Sequence, residues 1–333
     1  MVRRARVQGS RLRKRSRALR RDVGRRLAPD VAYLDLLGDP ARSVLVLGSA
    51  RSGTTKLAEV LASARNRRLV FEPMNPGLSP FTPPGFVGGS YRRPGEPDPE
   101  LLTVWTRILS GRIRSPWTDS RNHARLPTRR VVKCISSNNL AEWLRHRFPD
   151  TRIVFVHRHP LAVAGSILDL QGHADGLSPE LRQRWTPDTM RQWVAASGLL
   201  VGPLAHHAPQ VHRLLDRERT DVEDRVLRWC MENAAALERP PATGFLSVRY
   251  EDLLVQPEEE LRRIGRFADL DVEQGLRDFD RPSSTDWATG LGNRDGSRRD
   301  RRDGWRERMS PEDRDAGMAV VEAFGLGDHL DSA

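Results

Sequence analysis

The sequence predicts an α/β fold: a central parallel β-sheet flanked by helices in three layers, with a P-loop, a phosphate-binding turn, after its first strand. Three observations predict it. Short apolar runs of the kind buried on both faces alternate with stretches of helical spacing from Val44 to Leu326. The first run, Val44-Leu45-Val46-Leu47, passes through Gly48-Ser49-Ala50-Arg51-Ser52-Gly53 into a helix-like pattern. No clear linker interrupts the alternation, so one domain is expected over 41–326, with a basic extension at 1–30 and a short tail at 327–333.

Taken in order, strands are expected at 44–47, 69–71, 130–134, 152–157 and 244–249, where branched and aromatic residues cluster. Helices are expected at 53–64, 138–147, 160–170, 219–238, 257–268 and 311–323, from apolar spacing such as Leu57, Val60 and Leu61. Residues 44–71 read as one βαβ unit with a right-handed crossover, which brings Glu72 to the same sheet edge as the loop after Leu47. Between Pro73 and Pro99 lie eight prolines and five glycines, which argues for a structured loop and a candidate acceptor lid, or alternatively a disordered insertion. Residues 281–304, rich in Arg, Asp and Gly, read as a second irregular stretch.

The first loop carries the chemistry. Gly48 and Gly53 let the backbone turn tightly with its N–H groups toward a ligand, and the helix that follows adds unpaired amides and the positive end of its dipole. The spacing fits G-x-x-x-x-G-K-[ST], but Thr54 stands at the lysine position and Arg51 is the nearby cation.

An arginine before Ser52-Gly53-Thr54-Thr55, with no lysine after the glycine, resembles the 5′-phosphosulfate loop of the sulfotransferase superfamily that uses 3′-phosphoadenosine 5′-phosphosulfate. Arg152-Ile153-Val154-Phe155-Val156-His157-Arg158-His159-Pro160, followed by Ser166, is similar to its 3′-phosphate motif. Val248-Arg249-Tyr250-Glu251-Asp252-Leu253 resembles the segment whose tyrosine lies by the adenine, and Arg298-Arg299 before Gly304-Trp305-Arg306 resembles the basic loop that closes over the 3′-phosphate. The likeness spans roughly 43–326 and is greatest to bacterial, carbohydrate-sulfotransferase-like members. It implies that Arg51, Ser52, Gly53, Thr54 and Thr55 hold the 5′-phosphate, and that Arg158, Ser166, Tyr250, Arg298 and Arg299 hold the rest of the nucleotide. Two departures stand out: Lys56 occupies a position where cytosolic members often have a stacking tryptophan, and Asp300 replaces a glycine.

The histidine that serves as base in cytosolic members is missing after Lys133, where Cys134, Ile135 and Ser136 follow. Glu72 resembles the glutamate that many carbohydrate and protein sulfotransferases carry after the second strand. The resemblance therefore implies Glu72 as catalytic base, with Arg51 and Lys133 as catalytic cations and no metal. The competing reading is a salt bridge from Glu72 to Arg51 or Arg158. His157 and His159 alternate away from Arg158 along the strand end and read as packing residues. Trp229 and Asn233, four apart on a helix, read the same way.

Charge narrows the partners. The chain has 333 residues and a formal charge of +11. The first 26 residues carry twelve of the 55 basic residues and one of the 44 acidic ones, Asp22, so the remainder carries 43 of each and is formally neutral. Nucleic acid is therefore not the expected partner; the basic tail is a candidate for peripheral contact with an anionic membrane, or a solvated extension. No apolar run approaches the roughly 18 residues of a membrane span. Two distant cysteines, Cys134 and Cys230, indicate neither a disulfide framework nor a zinc site, and a cytoplasmic location is expected. The expected activity is sulfuryl transfer to a small-molecule or glycan hydroxyl acceptor; the alternatives are a P-loop kinase of nucleotides or small molecules, and a non-catalytic nucleotide-binding protein with a basic tail.

Overall fold

The computed structural model describes residues 33–35, 37–173, 186–284 and 297–330. The basic extension at 1–30 lies outside the described residues. Five strands form one parallel sheet: β1 (Ser43–Leu47), β2 (Arg67–Phe71), β3 (Arg129–Cys134), β4 (Arg152–His157) and β5 (Phe245–Arg249), in the order β2-β3-β1-β4-β5. The five expected strands all form, but β1 and β2 are not neighbours. β3 pairs with both, Val46 opposite Lys133 and Phe71 opposite Lys133, so the first crossover skips a strand position. The β2 end still reaches the carboxyl edge of the sheet, where ligands of open α/β sheets bind.

Alternation along the strands builds the three layers. Val44, Val46, Val131, Val154, Val156 and Val248 face one side and pack on helices α1 (Thr54–Leu61), α8 (Tyr250–Val255), α9 (Pro257–Ala268) and α10 (Glu273–Asp278). Leu45, Leu47, Val132, Cys134, Ile153 and Phe155 face the other. There they meet α2 (Pro99–Leu109), α3 (Ala141–Arg147), α4 (Pro160–His173), α5 (Pro187–Ser197), α6 (Ala208–Leu215), α7 (Asp221–Glu238) and α13 (Pro311–Ala323). α7 starts at a capping box in which the Thr220 hydroxyl accepts from the Glu223 N–H and Glu223 accepts from Thr220 N–H. α2, α5, α6 and the short helices after β5 were not among the expected helices.

Two further helices, α11 (Arg298–Asp303) and α12 (Trp305–Arg308), occupy part of the stretch expected to be irregular. The Ser297 hydroxyl caps α11 by accepting from the Asp300 N–H, a local signal hidden among repeated Arg and Asp. Residues 285–296 of that stretch lie outside the described residues. The proline-rich segment 73–99 is a structured loop, held by hydrogen bonds from Gly89 N–H to Ser136 O (3.0 Å) and from Trp193 Nε1 to Gly88 O (2.8 Å).

Cys134 and Cys230 are both fully buried, and burial pushes the Cys134 thiol up to about 11 and the Cys230 thiol higher still. Among the described residues no helix is long and apolar enough to cross a membrane.

At the entry to the sheet, Arg130 is 1% exposed and bridges bidentately to Asp35 (Nε–Oδ2 2.6 Å, Nη2–Oδ1 2.8 Å) while donating to the carbonyls of Leu109 and Asp39. Breaking one side of such a pair leaves a buried charge, at a cost of about 3–5 kcal/mol. Arg130→Met is expected to lose stability on that scale in urea unfolding, and Arg130→Met with Asp35→Leu to regain part of it. A loss within error in the single variant would show that the pair does not hold this end of the fold.

Candidate functional site

Every residue that the sequence singled out for the nucleotide, except the Arg298-Arg299 pair, lies just beyond the carboxyl end of a strand or in the first turns of the helix that follows. The β1–α1 loop is the tightest part. Gly48 (φ 150°) passes so close to β4 that a Cβ there would stand 2.2 Å from the Val156 carbonyl oxygen. Gly53 (φ 87°) forms the left-handed N-cap of α1, and a Cβ there would stand 2.1 Å from the Tyr250 ring. Only glycine fits either position. Arg51 also holds positive φ (67°), a conformation that costs a non-glycine residue about 1–2 kcal/mol. Side chains from two other elements fix the loop: Gly48 N–H donates to Asn138 Oδ1 (2.9 Å), and Asn233 Nδ2 donates to Ser49 Oγ (2.7 Å).

Arg51, Arg158 and Ser166 come together. Arg51 Nε donates to Ser166 Oγ (3.0 Å), and Arg158 Nη1 donates to the Arg51 carbonyl (3.2 Å). Arg158 also donates to the Arg301 carbonyl, and its guanidinium lies 5.2 Å from the Tyr250 ring centroid. These residues line a cavity of about 380 Å³ whose far wall is Trp305 and Met309. Ser52 Oγ, Arg158 Nε and Arg301 Nε are buried and have no hydrogen-bond partner among the described residues. Unpaired donors at a helix N-terminus suit an anionic ligand. Thr54 is buried beside Gly48 and Thr55 is half-buried at the same helix start.

The basic segment sits differently from the expectation. Arg298 is bound to Asp280 on the rim (2.8 and 2.7 Å), and Arg299 is exposed and outside the cavity lining. Arg301 and Arg308 reach the cavity instead, with Arg308 held to Asp300 (2.8 Å). The helical turn of α11 puts Asp300 and Arg301 on the cavity side and Arg299 on the solvent side. Lys56 turns away from the cavity and donates to the carbonyls of Asp278 (3.4 Å) and Arg281, with its ammonium 5.3 Å from the Phe279 ring.

His157 and His159 do not join the site. His157 stacks on Phe155, and His159 stacks on Trp305 at 4.5 Å while its Nδ1 accepts from Leu161 N–H. Burial, followed by the nearby arginines, pulls both down to about 3, so both imidazoles are neutral. Neutral Nδ1 is what the Leu161 contact requires.

Glu72 is 3% exposed, and its partner is Lys133, not Arg51 or Arg158. The pairing follows from β2 and β3 being neighbours, with Phe71 opposite Lys133. Glu72 Oε2 also accepts from Asn75 Nδ2 (3.2 Å), its carbonyl accepts from Trp117 Nε1 (3.1 Å), and its φ is 47°. A positive φ at a glutamate marks backbone held against its preference.

A second cavity, about 260 Å³, opens on the other side of the loop. Ser49 and Ala50 line it, along with Phe86, Val87 and Gly88 of the proline-rich loop, Trp193, and Trp229. α4 divides the two spaces: Val163 and Ile167 face this one, while Ala162, Gly165 and Ser166 face the arginine-lined one. Trp229 and Asn233 are thus more than packing residues, since one lines a cavity and the other holds the loop. Their four-residue spacing was visible, but nothing in it distinguished them from core.

A family model described as "Sulfotransferase family" matches residues 42–274. Among solved structures, the mouse sulfotransferase SULT7A1 complexed with PAP is 16% identical, covering 90% of this chain and 91% of its own, with a TM-score of 0.44. The sulfotransferase domain of the Synechococcus PCC 7002 olefin synthase is also 16% identical, covering 90% and 99%, at 0.44. Sulfotransferase STF9 from Mycobacterium avium is 15% identical, covering 95% and 81%, at 0.40. No curated protein matches. The family model covers more than two thirds of the chain and contains the loop, Arg158, Ser166 and Tyr250, and on that ground the chain belongs to the sulfotransferase family of enzymes.

Proposed function

We propose that the enzyme transfers a sulfuryl group from 3′-phosphoadenosine 5′-phosphosulfate to a hydroxyl acceptor by in-line displacement, with residues 41–326 as one catalytic domain. The convergence of Arg51 and Arg158 carries this reading. Arg51 and Arg158 follow adjacent strands beside a glycine-bounded helix start, the Arg158 guanidinium donating to the Arg51 backbone carbonyl (3.2 Å) and the Arg51 guanidinium to Ser166 Oγ (3.0 Å), and the loop has threonine where a triphosphate-binding loop has lysine. That arrangement offers two anion positions instead of one.

In this scheme Arg51, the loop amides, Ser52 and the Thr54 and Thr55 hydroxyls hold the 5′-phosphate and take up charge on the bridging oxygen as it leaves. Ser52 Oγ, buried without a partner, gains one there. Arg158 and Ser166 hold the 3′-phosphate, with Arg301 as a further donor, and Tyr250 borders the adenine. Like phosphoryl transfer, the reaction asks the protein for position and charge stabilisation. The acceptor enters from the cavity bounded by Ser49 and Ala50, across α4 from the donor, so the sulfuryl group moves over the loop from one space to the other. Glu72 takes the acceptor proton, and Lys133 steadies the carboxylate and the transferring group. No metal enters this scheme.

Arg51→Ala and Arg158→Ala are each expected to weaken binding of 3′,5′-adenosine bisphosphate by about 10–100-fold, the loss of one charge-assisted contact. Isothermal calorimetry on folded variants, with ATP as competitor, reads this; wild-type affinity in both variants, or displacement by ATP as effective as by the bisphosphate, would remove the donor assignment.

Glu72→Gln keeps the shape but cannot accept a proton, so single-turnover transfer should fall by roughly 10²–10⁴ with donor affinity close to wild type. Normal turnover in this variant would return Glu72 to a purely structural pairing with Lys133. A variant that no longer binds donor would do the same.

A further inference from the structure

The far end of α7 holds a cluster that the transfer reaction does not use. α7 ends at Glu238, with no basic side chain in its last turn and an exposed C-cap, Arg239. A carboxylate at the negative end of a helix dipole is favourable only where positive or polarisable groups meet it. Two histidines meet this one: His207 Nε2 lies 2.6 Å from Glu238 Oε1, and His206 Nε2 lies 3.1 Å from Oε2. Both stand on the short 3₁₀ turn Ala205–His207 that leads into α6. Their rings lie 4.0 Å apart, and His207 packs 4.7 Å from the ring of Phe324, itself in the core. The His206 side chain is 44% exposed, which leaves the cluster open to solvent on one side. A nitrogen from each histidine and a carboxylate oxygen of Glu238 lie within 4.8 Å of one another.

We propose that this end of α7 binds a divalent transition-metal ion of the zinc type, held by His206 Nε2, His207 Nε2 and the Glu238 carboxylate, with a further position open to water. Two imidazoles and a carboxylate form a zinc donor set, whereas magnesium and calcium favour oxygen ligands throughout. In a tetrahedral site with bonds of about 2.0–2.1 Å the ligand atoms stand about 3.3 Å apart, so the present contacts need open by less than about 1 Å. Each imidazole then gives its Nε2 lone pair and carries its proton on Nδ1, and the hydrogen bonds to the carboxylate are exchanged for bonds to the cation. Adjacent histidines with a third ligand 31 residues past His207 match no metal spacing, so only the fold brings the three together. None of the three lines either cavity, and Glu238 lies nine residues past Trp229, about 14 Å along α7. The ion therefore has no part in sulfuryl transfer. It fastens the link between α5 and α6 to the helix whose Asn233 holds the β1–α1 loop.

The test uses the full chain without an affinity tag, stripped with EDTA and titrated with Co²⁺ in the visible spectrum and with Zn²⁺ by calorimetry. Co²⁺ should give the absorption bands of a four- or five-coordinate nitrogen–oxygen site; Zn²⁺ should displace it and Mg²⁺ should not. Zn²⁺ should also raise the thermal unfolding midpoint of the wild type. His206→Ala and Glu238→Gln should each weaken Zn²⁺ binding at least about tenfold, the least that loss of even an outer-shell partner costs, and remove most of the rise in midpoint. Circular dichroism of the metal-free variants checks folding, and the exposed position of His206 makes His206→Ala the deciding variant if Glu238→Gln does not fold. No Co²⁺ bands in the wild type, displacement by Mg²⁺, or wild-type Zn²⁺ affinity in His206→Ala overturns the proposal. Donor and acceptor binding do not enter any of these readouts, so the outcome is independent of the reading of the transfer site.

Discussion

The backbone from Gly48 to Gly53 threads a gap that admits no side chain at either end, with the Val156 carbonyl on one side and the Tyr250 ring on the other. Most of the site's geometry follows from that confinement. Because the loop is pinned against β4, the residue after β4, Arg158, lands against the Arg51 carbonyl, and Ser166 in the next helix meets the Arg51 guanidinium. Because Gly53 lies under Tyr250, the first helix after β5 is placed at the same corner. Asn138 and Asn233 then hold the loop from the opposite layer. The positive φ at Arg51 is strain that these contacts sustain, and it turns the side chain toward the cavity instead of solvent.

The strands were legible because strands buried on both faces have no polar alternation to disguise them, and the loop was legible because its two glycines have no substitute. Strand order was not. The run of residues 44–71 reads identically whether β2 lies beside β1 or one place farther, and only the insertion of β3 makes Lys133 the neighbour of Glu72. The same blindness misassigned the salt-bridge partner of Glu72 to the loop arginines. In the Arg298–Asp303 segment, four arginines within six residues defeat any choice by type, since only the helical phase decides that Arg301 and not Arg299 faces inward. Trp229 and Asn233 lie on a helix whose buried face is long, and spacing cannot tell a residue that packs from one that lines a cavity.

The two cavities differ in their linings. One is bordered by Arg51, Arg158, Arg301 and Arg308, the other by indole and aliphatic walls together with Arg225, Arg228 and Glu232, and α4 and the β1–α1 loop border both. The proline-rich segment closes over the second space with hydrogen bonds to backbone groups of the β3 exit and to Trp193, so its irregular course is still anchored.

The two cysteines lie in the two layers that define the site, Cys134 at the end of β3 and Cys230 midway along α7, and both thiols stay protonated far above neutral pH. Protonated, fully covered sulfur is a poor nucleophile toward oxidants and alkylating reagents alike. The protein therefore carries an internal clock: a thiol reagent in excess reacts only as fast as local opening uncovers each sulfur, and the labelling rate at each position measures how often that happens. Cys134 is one residue from Lys133, so the same clock reports on the stability of the pair that Glu72 depends on.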